Sequence, residues 1–345
     1  MNSKVKKITK VALFFAIGAL LLWVAYRGQD ISSLAEALKS TRWIWIVAIA
    51  LFYLLGHYSR AARWRLLLEP LGYKPRRCNL FMSVLVMYLS NLAVPRSGEV
   101  LRCGLLSKYE KIPFAKCLGT VVTERIADLV ALILIAAIVI TLQWGLISGL
   151  VTDNPDAMQR LESLRDSLWF VIPTLLIITT LGIIIIRTAI KQNILGLGEK
   201  INSLWKNFRD GMLTIIHLRQ RTLFIIHTLF INFVYFYAIY LGFKAFGFTE
   251  HLTLNVALTV FITGTFGVVV PSPGGMGTWH FAVIETLALF GIKRDPDGRA
   301  FALVIHGLQD VSFLILGGIS LILMPIINKD YVPIHDTPPT QELNT

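Results

Sequence analysis

Apolar residues run along the chain in blocks separated by short polar or glycine- and proline-marked stretches, near 8–26, 43–59, 78–94, 117–142, 168–186, 223–246, 252–270 and 300–327, with a shorter block at 279–291. A helix needs roughly 17 to 25 such residues to cross a hydrocarbon core. Most blocks reach that length, so the pattern predicts an all-α, polytopic membrane protein. The first block follows Lys4, Lys6, Lys7 and Lys10 and ends at Trp23, Tyr26 and Arg27. With interfacial anchors at its far end and no small-residue cleavage site, it reads as a retained helix rather than a signal peptide.

Polar loops give the direction of each crossing. The N-terminus, 60–77 (with Arg60, Arg63, Arg65, Lys74, Arg76 and Arg77) and 187–222 are rich in Lys and Arg and read as cytoplasmic. Arg60 and Arg63 read as interfacial anchors, with the steering of headgroups to the entrance as the alternative. The stretch 143–167 carries Asp153, Asp156, Glu162 and Asp166 against two arginines and reads as external. Two full crossings between 77 and 143 would return the chain to the cytoplasm, so one block must enter and leave by the same face. The block 78–94 fits, because Pro95 and Gly98 break it in N-L-A-V-P-R-S-G-E. Non-helical backbone at membrane depth is tolerated only inside protein or along a wet cavity. A second break, with Pro271, Pro273, Gly274, Gly275 and Gly277, follows 252–270 and leads into the short block 279–291. This hairpin would enter from outside.

After each break comes a long span, E-R-I-A-D-L-V-A-L-I-L at 124–134 and H-G-L-Q-D-V-S-F-L-I-L at 306–316, which aligns Asp128 with Asp310. Two interrupted hairpins from opposite faces, each followed by a marked span, are the signature of an inverted repeat. The expected architecture is about seven spanning helices plus two oppositely oriented re-entrant hairpins in one domain, 1–330. Its repeat halves are roughly 43–142 and 223–327, with an amphipathic cytoplasmic connector at 187–222 and a polar tail at 331–345.

Composition adds that 55% of residues are apolar or aromatic and 16% charged, with mean hydropathy +0.64. The net charge of +12 gathers in the loops, as orientation requires, and nothing resembles a basic nucleic-acid module. Cys78, Cys103 and Cys117 lack metal-ligand or disulfide spacing. No nucleotide-binding or hydrolase motif is present, so no cofactor, metal or catalytic set is expected.

Several pieces resemble one known family, the lysylphosphatidylglycerol synthase transmembrane region, also called flippase-like or UPF0104: R-x-x-R-W-x-x-L-L at 60–68, V-P-R-S-G-E-V-x-R at 94–102, T-E-R-x-x-D at 123–128 and P-G-G-M-G at 273–277. The resemblance implies a stand-alone lipid translocator without the soluble aminoacyl-transferring domain. It implies as partners anionic or zwitterionic phospholipid or a polyprenyl lipid, and leaves open a soluble or membrane lipid-modifying enzyme. The place would be the cytoplasmic membrane of a prokaryote, with the N-terminus inside.

Ionisable side chains at membrane depth are functional candidates. Glu124 and Asp128 share a helix face, with Arg125 between them either as a structural counter-charge or as part of a headgroup site. Arg96, Glu99 and Arg102, three residues apart, can face one cavity; Glu99 and Arg102 can equally pair at the interface. Guanidinium suits phosphate, so Arg96 and Arg125 are expected to hold a lipid phosphate while Glu124 and Asp128 keep the empty cavity nearly neutral. In the second half the glycine-rich break, His280, Glu285 and Asp310 complete the candidate lining, with His306 read as a packing residue. Three functions remain open: a lipid flippase, an integral membrane transferase using Glu124 and Asp128 as acid and base, and a non-catalytic subunit that docks a soluble enzyme.

Overall fold

In hydrocarbon every backbone N–H and C=O must be satisfied within the protein, which leaves helices as the local solution for these apolar blocks. The computed structural model describes residues 41–145, 198–269 and 272–333, with a few single positions between them. The expected spans 8–26 and 168–186, the acidic stretch 143–167, the tail beyond 333 and Pro271 lie wholly or almost wholly outside the described residues. Nine α-helices are described: α1 (Trp43–Leu68), α2 (Arg77–Ala93), α3 (Gly98–Glu110), α4 (Phe114–Leu142), α5 (Gly198–Met212), α6 (Arg221–Ala245), α7 (Leu254–Val269), α8 (Thr278–Leu289) and α9 (Arg299–Ile327). Four of the helical stretches are long and apolar enough to cross a membrane: Trp43–Leu71, Phe114–Leu142, Arg221–Ala245 and Arg294–Ile327.

The order of lengths repeats. α1 to α4 have 26, 17, 13 and 29 residues, and α6 to α9 have 25, 16, 12 and 29. In each half a long helix is followed by a two-helix hairpin and a second long helix. α1 packs along α6, and α2 along α9. Ile49, Phe243, Val260 and Phe301 are central to the largest apolar core, where α1, α6, α7 and α9 meet. α4 turns Ile126, Leu129, Ile133 and Leu134 outward and Glu124 inward, the arrangement a hydrocarbon solvent selects.

The hairpins α2–α3 and α7–α8 reach α9 from its opposite ends. At the end of α9, Asn328 and Asn79 on the first turn of α2 exchange amide hydrogen bonds at 2.7 and 2.8 Å. Asn79 also donates to Glu110 at the end of α3 (2.6 Å), which accepts a third bond from the Tyr331 hydroxyl (2.9 Å). At the start of α9, Arg294 grips Glu285 of α8 (2.9 Å), and Gly298 sits against Ile284. The two tips meet between these ends: Arg96 Nη2 donates to the Val269 carbonyl (2.7 Å), and Gly274 lies against Leu92 and Asp310.

Backbone geometry explains both breaks. At the first, Arg96 adopts a left-handed φ of 62°, Asn91 Oδ1 accepts from the Gly98 N–H (2.8 Å), and a Cβ on Gly98 would lie 2.1 Å from the Met87 carbonyl. At the second, Gly274, Gly275 and Gly277 have φ of 61°, 80° and 81°, a region that L side chains avoid.

The amphipathic connector is more firmly held than a surface-lying helix. α5 docks on the first turns of α4 through Gly119 and Gly211, where added Cβ atoms would meet backbone at 2.2 and 2.3 Å, and Thr123 Oγ1 donates to the Met212 carbonyl (2.8 Å). Leu204 and Trp205 remain exposed on its other side.

Candidate functional site: a buried arginine–carboxylate cluster

Three helices of the first half bring charge to one point. α4 presents Glu124, Arg125 and Asp128; α1 presents Arg60 and Arg63, one turn apart; α3 presents Arg102. Glu124, fully buried, is touched by all four guanidiniums: Arg125 at 2.6 Å, Arg60 at 3.1 Å, Arg63 at 3.2 Å and Arg102 at 3.3 Å. Asp128 takes Arg63 at 2.6 Å, Arg60 at 3.2 Å and Arg125 at 3.3 Å. The surroundings fix these side chains. Arg63 donates to Thr228 of α6 (3.0 Å), and Arg102 lies over the Trp64 ring (4.6 Å). The Trp64 indole N–H in turn is anchored on Thr120 (2.9 Å). Arg63 and Arg102 are 0% exposed and Arg60 7%, while the Arg125 side chain is 40% exposed and opens the cluster on one side.

The charges within contact do not cancel: four arginines face two carboxylates. Buried N–H groups remain without hydrogen-bond partners, among them the Nε of Arg60, Arg63, Arg102 and Arg125 and Nη2 of Arg102. Unmatched guanidinium donors in a buried place are expensive unless an anion is present. Next to the cluster, a cleft of about 330 Å³ lies between α1, the start of α2 and the start of α6, lined by Arg65 with its ion-pair partner Glu69 (3.4 Å), Arg77 and His227, and by Leu66, Leu80 and Leu223. The Ser59 and His227 side chains hydrogen-bond (2.8 Å) where the cleft wall meets the helix turn carrying Arg60.

A second constellation occupies the matching place in the other half. His306 and Asp310 on α9 stand one turn apart, with Nδ1 and Oδ2 at 3.6 Å. The Trp279 ring stacks on His306 (4.8 Å, 12°), and His280 meets it edge-on (4.8 Å, 84°), both at the start of α8. Between the two constellations lies an aromatic layer, in which Tyr88 stacks on Phe313 (4.4 Å) and hydrogen-bonds Tyr235 (3.0 Å) beside His57.

Of the residues singled out in sequence, the structure brings Arg102, Glu124, Arg125 and Asp128 together, and His280 with Asp310. Arg96 stands apart at the tip contact, and its side chain is on Val269 rather than beside Arg125. Glu99 is half-buried, beyond ion-pair distance of the cluster, and makes no pair with Arg102. Glu285 is bound to Arg294 at the exposed base of the second hairpin, away from the interior. Arg60 and Arg63, read as interfacial anchors, are instead buried cluster members, because α1 continues as a helix to Leu68. Their three-residue spacing, with Trp64 and Leu66–Leu68 prolonging the apolar block, was the signal for that.

A multi-helix chain with an apolar exterior and a charged interior is an integral membrane protein. More particularly, it belongs to the lysylphosphatidylglycerol synthase TM region family, whose model matches residues 10–317. Its relatives include the UPF0104 membrane protein MJ1595 of Methanocaldococcus jannaschii, 31% identical over 127 residues, which are 35% of this chain and 37% of that one. MJ1078 of the same organism is 27% identical over 241 residues, covering 67% of this chain and 92% of the relative. Glycosyltransferase AglD of Haloferax volcanii is 26% identical over 137 residues, 39% of this chain but 22% of that protein. The chain thus aligns with well under half the length of MJ1595 and AglD. No solved structure matches.

Proposed function

We propose that the chain is a lipid translocator that carries a phosphate-bearing headgroup between leaflets through the charged interior, with the two hairpins re-entrant from opposite membrane faces as an inverted repeat. The observation that carries this reading is the excess of buried guanidinium over carboxylate on α1, α3 and α4. Such a site is incomplete without an anion, and in a membrane the abundant anions are lipid phosphates. The repeat of helix lengths and the meeting of the tips support two gates around one centre. The neighbouring cleft, lined by both charged and apolar side chains, suits an amphiphile arriving sideways. Arg96, at the tip contact, is assigned to closing the centre, and the His280, His306 and Asp310 group to the second half of the path.

The transferase reading is less well supported, since each acidic oxygen it would use is already engaged by guanidinium. A docking role keeps one specific observation, the match to part of a glycosyltransferase. Reconstitution in vesicles with a fluorescent phospholipid separates the three. Movement of the label with no added enzyme, lost in Arg63→Gln, supports translocation. A new covalent lipid product, or neither result, refutes it.

A further inference from the structure

The composition of the cluster limits what can fill it. Its members in contact are four guanidiniums and two carboxylates, 4 − 2 = 2 positive charges in excess. Arginine keeps its proton in proteins, so the excess cannot be titrated away. Glu99 lies beyond ion-pair distance of the four guanidiniums, with its buried Oε2 unpartnered, and is therefore outside that count of groups in contact. The buried N–H groups left without partners belong to Arg60 and Arg63 on α1, Arg102 on α3 and Arg125 on α4, so they come from three helices.

We infer that the headgroup held here ends in a terminal phosphate, a phosphomonoester dianion, in preference to a phosphodiester, zwitterionic or aminoacylated headgroup; this rests on the translocator reading and narrows it. A phosphomonoester offers three free oxygens and, above its second pKa near 6, close to two negative charges. It matches the excess and takes donors from three sides. A phosphodiester has two free oxygens and one charge, which leaves one buried guanidinium unmatched. A zwitterionic headgroup brings no net charge, and a lysyl group adds positive charge to a positive site.

The groups that face the cluster from the surrounding elements are His57 on α1, Tyr88 on α2, Glu99 and Cys103 on α3, and His227 and Tyr235 on α6. Any titration among them acts on both anionic lipids in the same direction. Phosphatidylglycerol, whose diester does not titrate in this range, therefore reports it separately.

The full chain is reconstituted in phosphatidylcholine vesicles doped equally with phosphatidic acid and phosphatidylglycerol, re-extracted, and its retained lipid counted by mass spectrometry. At about pH 8 phosphatidic acid should be retained roughly tenfold or more over phosphatidylglycerol, the worth of one further charged hydrogen bond. Near pH 5 the monoester regains its proton and the preference should shrink towards unity. Arg102→Gln should lower the retention of both anionic lipids at pH 8, that of phosphatidic acid by more, so that the preference shrinks. Equal retention at pH 8, or a preference that persists unchanged at pH 5, overturns the inference, and label movement in the vesicle assay would still stand on its own. If inorganic phosphate alone stabilises the detergent-solubilised chain as well as short-chain phosphatidic acid does, the site belongs to free phosphate and the lipid assignment falls.

Discussion

Replacing Glu124 by Gln keeps the shape of the side chain and removes one of the two negative charges in the cluster. Four guanidiniums within 3.3 Å of that carboxylate would then share Asp128 alone, and the positive excess rises from two to three. Arg63 and Arg102, fully buried, have no route to water. Breaking a buried ion pair by removing one partner costs about 3–5 kcal/mol, because the stranded charge stays buried. A loss of that size is expected for Glu124→Gln, read as a lower midpoint in reversible unfolding by a denaturing detergent. Glu124→Gln/Arg125→Gln restores the original excess of two and should recover a substantial part of the loss. Arg125 is the choice for the second change because its side chain is the most exposed of the four. If Glu124→Gln unfolds at the wild-type midpoint, or the double variant is no more stable than the single, Glu124 is not the electrostatic hub of the site.

The remaining predictions test the hairpins and the ends of the helices. Gly274→Val and Gly275→Val place a β-branched side chain at φ of 61° and 80°, the first against Leu92, and should abolish lipid movement in vesicles while expression is largely kept; normal transport by both would make the turn a passive connection. Asn79→Leu leaves Asn328 and Glu110 short of a partner and should destabilise by about 1–3 kcal/mol in the same unfolding assay, whereas Asn79→Leu/Asn328→Leu should lose less than twice that. Cys78, and Lys111→Cys at an exposed position just before the buried Cys117, each as the sole cysteine, should react with an impermeant maleimide from the same membrane face, and labelling from opposite faces would refute the re-entrant path. Arg42 holds the Glu250 carboxyl below its ordinary range, so the pair's contribution is present above that range and is lost only as pH falls through the lowered value; unfolding midpoints should be flat from about pH 8 to 5 on its account, and Glu250→Gln should leave them nearly unchanged because the pair is exposed.

Helices and breaks were legible because they follow from single, local rules. Apolar blocks must be helical in hydrocarbon, and proline or clustered glycine interrupts them, so α2 and α3 part at Pro95–Gly98 and α7 and α8 around Pro273–Gly277. Glu124, Arg125 and Asp128 were legible for the same reason, as their spacing alone puts them on one turn. Arg60 and Arg63 were misplaced because orientation by loop charge treats every arginine after an apolar block as lying at the interface. The helix instead runs about two and a half turns further, to Leu68, and carries both into the interior. Arg96 could not be placed from spacing, since a left-handed residue at a hairpin tip points its side chain off the face that its neighbours share. Glu285 depended on a partner, Arg294, nine residues on and beyond the end of α8.

The origin of the cluster's charges bears on how the chain is made. Arg60, Arg63, Arg102, Glu124, Arg125 and Asp128 all come from the first 128 residues, and among the described residues the second half adds uncharged contacts, such as the Thr228 hydroxyl and the Phe224 ring beside Arg63. As α4 leaves the translocon, its acids already have Arg125 beside them and can take α1 as a partner before α6 is synthesised. The two acids of the cluster are thereby matched early. The tip contact between Arg96 and Val269 has to wait for α7, and the clasp from Asn79 to Asn328 for the end of α9. A nascent chain halted after α4 would thus hold its two acids in place while its first hairpin still lacked the partners that seal it.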